Sequence, residues 1–292
     1  MIEPANRSPG TRPARKHKLF MTAVGSGYDV SCGSYSPDGK IFQVDYALKA
    51  VEQHGLCVGI RTSGGVALAV QKNIHDILEI DSAPCFYQIE DSIVIAVAGL
   101  QPDGMVLVSK AREVAESYRE NYSRIVPTGV LANSISGYMQ LYTHYGEVRP
   151  FGCSLLIAGY DSIASADEPT TLKTKYSLYL LQPSGDITNC FATAAGRHTS
   201  QAKVELENHM GPAEKDTNDR FNHLKRVHNS GGLLTGMSEN EAILATAKVI
   251  WACHDHINDP KFTLRFAFIS DTGTVVYTKE QSTDIQEQTK LT

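Results

Sequence analysis

Short apolar runs of strand length recur in pairs along this 292-residue chain, and helical patterns separate the pairs. The predicted strand pairs occupy residues 56–61 with 66–70, two segments within 88–99, 153–159 with 177–181, and 262–269 with 275–277. Turn signals such as Gly64-Gly65 and Asp271-Thr272-Gly273 join paired runs, and hairpins of this kind make antiparallel sheets. Because the runs are apolar enough to be covered on both faces, we expect helices outside two stacked sheets.

The predicted fold class is therefore α+β, as one four-layer αββα sandwich. Helical periodicity predicts a helix over 41–52, two consecutive helices near 107–122 and 127–145, and two more over 197–209 and 238–254. Polar stretches at 161–175 and 211–236 are predicted to be loop insertions. Residues 1–22 form a basic tail that we expect to be disordered. The remainder, 23–292, is then a single domain.

Composition excludes several functions. The net charge of −5 argues against nucleic acid as the main partner, although the tail leaves a nucleic-acid-binding role open. No run approaches the roughly 18 apolar residues of a membrane span. Six isolated cysteines indicate a reducing compartment, so we expect the cytoplasm and nucleus.

Motifs for common chemistry are missing from the sequence. It contains no phosphate-binding glycine loop, nucleophile elbow or zinc-protease helix motif. Cys253 and His256 have same-face helical spacing, but no second ligand pair lies nearby, so a solvated helix end is the better interpretation. The tyrosine stripe Tyr138, Tyr142 and Tyr145 is predicted to pack on a sheet rather than to bind an aromatic ligand. We predict no metal and no cofactor.

Two segments remain distinctive, and both resemble one family. Residues 36–47 read SPDGKIFQVDYA, and residues 145–152 read YGEVRPFG. The first closely resembles the N-terminal signature of proteasome alpha subunits, with Lys40 replacing Arg and Asp45 replacing Glu. Residues 192–196, ATAAG, match a third family stretch. Residues 21–31 are most similar to the seventh alpha position of the eukaryotic 20S particle.

The resemblance implies the fold of the N-terminal nucleophile hydrolases without their activity. In active beta subunits of this family, a threonine freed at the N-terminus acts with an acidic residue and a lysine. The matching positions here are Gly55, Gln71 and Phe86. All three chemical groups are missing, so we expect no catalytic residue. The alternative is an active N-terminal nucleophile peptidase.

The resemblance also implies a structural and gating role in ubiquitin- and ATP-dependent protein degradation. Tyr28, Asp29, Pro37 and Tyr46 match the family cluster that stabilises an open axial gate, and a flexible tail containing Gly25 and Gly27 would close it. Cys85 occupies the place of the lysine that receives an activator's C-terminal carboxylate, which makes this pocket degenerate. Expected partners are neighbouring alpha subunits, beta-ring subunits, and regulatory-particle ATPases or other activators.

Overall fold

Two antiparallel five-stranded sheets form the centre of the protein. The computed structural model describes residues 27–73, 84–164, 172–209, 236–255 and 261–291. Ten strands are described: β1 Cys57–Arg61, β2 Val66–Asn73, β3 Phe86–Glu90, β4 Ile93–Gly99, β5 Cys153–Ala164, β6 Leu172–Leu181, β7 Ile187–Asn189, β8 Ala192–Ala195, β9 Phe262–Ser270 and β10 Gly273–Val276. The strand order is β10-β9-β2-β1-β8 in one sheet and β3-β4-β5-β6-β7 in the other.

Helices cover the outer faces of both sheets. The six described helices are α1 Phe42–Glu52, α2 Gln101–Tyr122, α3 Thr128–Leu141, α4 Thr199–His209, α5 Glu239–Cys253 and α6 Lys279–Leu291. Helices α2 and α3 pack on the β4–β5 sheet, whereas α4, α5 and α6 pack on the β1–β2 sheet. Helix α1 lies at one end of the sandwich, against β4 and β5.

The core is divided into three apolar layers, as four layers of structure require. Along β2, Val66, Leu68 and Val70 point between the sheets, while Ala67 and Ala69 face the helices. Both faces of this strand are therefore buried, which explains its continuous apolar sequence. The predicted αββα sandwich is confirmed.

The stretch predicted as a loop over 161–175 is partly wrong. Residues Asp161 to Ala164 pair with Lys175 to Leu172 and lengthen the β5–β6 hairpin, while 165–171 lie outside the described residues. The Asp161 carboxylate accepts hydrogen bonds from the Thr128 backbone N–H at 2.8 Å and from its hydroxyl at 3.1 Å. It thus satisfies a free donor at the start of α3. The insertion predicted at 211–236 lies almost wholly outside the described residues.

Helix α6 was not predicted, and α3 ends earlier than its tyrosine stripe implied. Tyr138 and Tyr142 pack against Phe151, but Tyr145 lies beyond the helix and is exposed. The packed interpretation therefore holds for the first two tyrosines only. Cys253 is buried in the helix–sheet core and His254 packs edge-on against Phe262, so the described part of this helix end is not solvated. His256 lies outside the described residues.

Candidate functional site: the closed end and the N-terminal segment

The position matched to the catalytic nucleophile lies at the α1 end of the sandwich, which we call the closed end. Gly55 follows α1 directly and precedes β1. A Cβ atom built on Gly55 would overlap the backbone carbonyl oxygen of Gln71 and lie 3.0 Å from its carbonyl carbon. On the other side, the carbonyl oxygen of Gly55 lies against Gly196. Backbone thus surrounds this residue, and a side chain of any kind would force that backbone to move.

Gln71 holds the same turn in place. Its backbone N–H donates to the Leu56 carbonyl at 2.8 Å, and its side-chain Oε1 accepts from the Leu56 N–H at 3.3 Å. Gln71 is only 7% exposed, so its amide is used in packing rather than offered to a substrate. Phe86, at the position of the lysine, packs at the edge of the layer between the sheets. None of these three residues can transfer a proton.

A buried carboxylate joins two distant sequence motifs at the same end. Both guanidinium nitrogens of Arg149 donate to Asp103, at 2.6 and 2.8 Å, and the Gly152 N–H donates to the same carboxylate at 2.8 Å. The Arg149 hydrogen bonds hold the Asp103 pKa below its ordinary value. This bidentate pair fixes the chain entering β5 against the start of α2. It gives the distinctive 148–152 segment a physical reason that composition does not supply.

The N-terminal segment, residues 27–40, ends in a tight turn. The Gly39 N–H donates to the Ser36 carbonyl at 2.8 Å, and the Lys40 N–H donates to the Ser36 hydroxyl at 3.1 Å. Pro37 follows Ser36, as the second position of such a turn favours. Upstream, the Gln43 side-chain Nε2 of α1 donates to the Asp29 carbonyl. The segment is therefore tied to α1 at both of its ends.

The four predicted gate residues all lie on this segment or on α1. Tyr28 and Tyr46 are 39% and 37% exposed, and Pro37 is exposed at the turn. Within the described chain, no hydrogen bond joins the side chains of Tyr28, Asp29 and Tyr46. The phenols are therefore available to a neighbouring molecule, and the gate assignment stays a prediction. Gly27 has a φ of +77°, whereas Gly25 lies outside the described residues.

Cys85 lies just before β3, where it is half-buried. Its side chain packs at the edge of the layer between the sheets, beside Phe86. Burial, and to a smaller extent the nearby Cys85, raise the pKa of the Cys57 thiol. A neutral thiol in this place offers no positive charge to a carboxylate.

The described residues offer little support for other kinds of site. They hold no group of three or more metal-ligating side chains. Among the described helices, none is both long and apolar enough to cross a lipid bilayer. The basic tail, residues 1–22, lies outside the described residues, so its predicted disorder and its nucleic-acid alternative stay predictions.

Comparisons with known proteins agree with the two sequence motifs. A family model for proteasome subunits matches residues 51–226, and a model for the N-terminal signature of A-type proteasome subunits matches residues 28–50. A proteasome subunit alpha type-3 from Dictyostelium discoideum is 35% identical over 86% of this chain and 88% of its own length. The Drosophila melanogaster protein of that name is 33% identical over 85% of each chain. A probable proteasome subunit alpha type-7 from Saccharomyces cerevisiae is 34% identical over 86% of this chain and 76% of its own length.

Proposed function

This chain belongs to the proteasome alpha-subunit family, and from that premise we propose that it is a non-catalytic subunit of the outer alpha ring of the 20S proteasome. In that role it supports the beta ring, contacts neighbouring alpha subunits and contributes to the axial gate. It acts in ubiquitin- and ATP-dependent protein degradation in the cytoplasm and nucleus.

The crowded backbone at Gly55 carries the non-catalytic assignment. A threonine nucleophile of this fold needs a side-chain hydroxyl and a free α-amine at the chain's start. Gly55 has no side chain, has no room for one, and is joined through its amine to the segment that follows α1. Helix α1 packs on β4 and β5, so cleavage before Gly55 would separate a packed helix from the domain.

A covalent probe tests this assignment. A threonine-reactive electrophile is added to the particle purified through a tag on this chain, and labelled subunits are identified by mass spectrometry. We expect labelled beta subunits and no adduct on this chain. An adduct on this chain that disappears when excess peptide substrate is present would favour the alternative, an active N-terminal nucleophile peptidase.

The exposure of the N-terminal segment supports the gating role. Tyr28 and Tyr46 present phenols at the surface, and Pro37 stiffens the turn between them. Two phenols and the Asp29 carboxylate can hydrogen-bond to a neighbouring subunit because the described chain leaves them without such a bond. Removal of residues 2–26 in the assembled particle tests the tail. We expect higher basal hydrolysis of short peptides, and unchanged hydrolysis would contradict a gate made by this chain.

The activator pocket beside this subunit is proposed to be weak. Cys85 supplies no charge where a lysine would bind an activator's terminal carboxylate. The Cys85→Lys variant should strengthen binding of a peptide with a free C-terminal carboxylate, whereas Cys85→Ser, which adds no charge, serves as the matched control. Equal binding by both variants would contradict this proposal.

The proposed compartments follow from the family and from the reduced cysteines. All six cysteines lie in the described part of the chain, and no disulfide joins any two of them. Fluorescence microscopy of the tagged chain should show signal in both cytoplasm and nucleus. Signal confined to the secretory pathway would contradict it.

A further inference from the structure

Gln43 connects helix α1 to the backbone of the N-terminal segment. Its side-chain Nε2 donates a hydrogen bond to the carbonyl oxygen of Asp29, fourteen residues earlier in the chain. The bond uses the backbone of Asp29 and leaves its carboxylate available. Gln43 itself is half-buried at the start of α1, so its side chain is held by a packed helix.

A second contact holds the segment from the opposite side. A Cβ atom on Gly146 would lie 2.5 Å from the Ser31 hydroxyl oxygen, so the loop after α3 passes directly over Ser31. That hydroxyl in turn accepts a hydrogen bond from the Gly33 N–H at 3.0 Å. Cys32, between them, is buried. Residues 29–32 are therefore fixed between α1 and this loop.

The restraint stops one or two residues upstream. Gly27 adopts a φ of +77°, and no atom lies within 4 Å of a Cβ built on it. Tyr28 is exposed. The chain thus changes from surrounded by open space to fixed on both sides between residues 27 and 29.

We propose that Gln43 is a positioning residue that fixes, at Asp29, the pivot from which the N-terminal tail swings. This inference rests on the proposed gate, and it assigns to Gln43 a role that acts through Asp29 rather than through contact with substrate. A fixed pivot gives the tail a defined direction over the pore. Without it, the tail leaves the body of the subunit from a variable point and closes the gate less well.

The first experiment measures the pivot without using the gate. The full chain is digested with limiting chymotrypsin, and cleavage after Tyr28 is compared with cleavage after Tyr35, which is also exposed. Gln43→Met keeps the side chain's length but removes the donor, and Gln43→Lys retains a donor. Gln53→Met makes the same change just past the end of the helix and is the matched control.

Loss of one hydrogen bond should raise cleavage after Tyr28 about fivefold in Gln43→Met, because cleavage follows the released population. Gln43→Lys and Gln53→Met should stay near wild type, and cleavage after Tyr35 should not change. Unchanged cleavage after Tyr28 in Gln43→Met would overturn the proposal. An equal rise at Tyr35 would also overturn it, because it would mean that the whole segment had loosened.

The second experiment separates the pivot from the gate. Basal peptide hydrolysis is measured per assembled particle containing Gln43→Met, or the chain lacking residues 2–26. Increases in both support the proposal. An increase with the deletion alone overturns the pivot and leaves the gate standing. No increase with the deletion overturns the gate and, with it, the role proposed for Gln43.

Discussion

The closed end and the N-terminal segment are neighbours in the structure, yet they have opposite physical characters. At the closed end, Gly55 is enclosed by the backbone of Gln71 and Gly196. In the N-terminal segment, Tyr28, Val30 and Tyr35 are exposed, and the chain is tied down only at a few points. The end that would bear chemistry is packed shut, while the adjacent surface presents aromatic groups.

This difference indicates how the two regions respond to change. A buried backbone contact tolerates no added atom, so a substitution there lowers folding stability. An exposed phenol contributes little to stability, so a substitution there alters what the surface binds. The two regions should therefore respond differently to substitutions of similar size.

The largest effect is expected for Gly55→Ala. The added methyl group would overlap the Gln71 carbonyl oxygen, and overpacking of this kind costs about 3 kcal/mol in the free energy of unfolding. Gly64→Ala is the control, because no atom lies within 4 Å of its Cβ position, and we expect a change within about 0.5 kcal/mol. Urea denaturation of both variants measures the difference. Equal stabilities would show that the closed end is not tightly packed.

A smaller effect is expected for Asp103→Ala, which removes the link between α2 and the 149–152 segment. Loss of hydrogen bonds to a charged group should cost about 2 kcal/mol. Glu113→Ala on the same helix breaks only the exposed pair with Lys110 and should cost less than about 0.5 kcal/mol. If both variants lose equal stability, Asp103 is no more important than a surface ion pair.

The pH dependence of that effect has a definite sign. The Arg149 hydrogen bonds lower the Asp103 pKa below its ordinary value of 3.8 in the folded protein. The stabilisation is therefore complete above that ordinary value and is lost as the pH falls below it toward the folded-state pKa. The stability difference between wild type and Asp103→Ala should shrink from pH 7 to pH 3. A difference that grows on acidification would contradict the assignment.

The smallest stability effect is expected for Tyr28→Phe and Tyr46→Phe. Both phenols are exposed, so each change should stay within about 0.5 kcal/mol. In the assembled particle, however, loss of either hydroxyl should weaken activator-stimulated peptide hydrolysis. Tyr122→Phe, on an exposed tyrosine at the end of α2, is the control and should leave both quantities unchanged. A large loss of stability in Tyr28→Phe would remove the contrast between the two regions.

Strands buried on both faces were the easiest part of the fold to predict. In β2 and β4 every residue from Val66 to Val70 and from Ile93 to Gly99 is buried, which gives continuous apolar runs. The Ser36–Gly39 turn was also predicted, because proline and glycine have definite places in it.

Other elements left weak or no apolar signals. Helix α6 is polar, with Ser282 and Thr289 buried rather than large apolar residues. Its one available signal was a capping pattern: Thr278 and Gln281 exchange hydrogen bonds at its start. The extended β5–β6 hairpin carries polar residues such as Asp161 and Lys175, which resemble a loop in sequence.

The site divides in the same way. Missing catalytic groups could be seen in the sequence once the resemblance placed Gly55, but the backbone that encloses Gly55 comes from Gln71, sixteen residues away. Likewise, the segments around Asp103 and Arg149 are both distinctive, yet nothing in one sequence says that residues 46 positions apart form an ion pair. The Gln43 bond to a backbone carbonyl leaves no sequence signal, because any residue at position 29 offers that acceptor.

The most direct test of the account is the mass of this chain inside its native assembly. The chain is tagged at its C-terminus and purified from its own cells, and native mass, peptidase activity and the intact mass of the chain are recorded together. We predict a large, peptidase-active particle in which this chain remains uncleaved between His54 and Gly55. A monomer or dimer with its own peptidase activity, or a chain that begins at Gly55, would contradict a structural alpha-ring subunit.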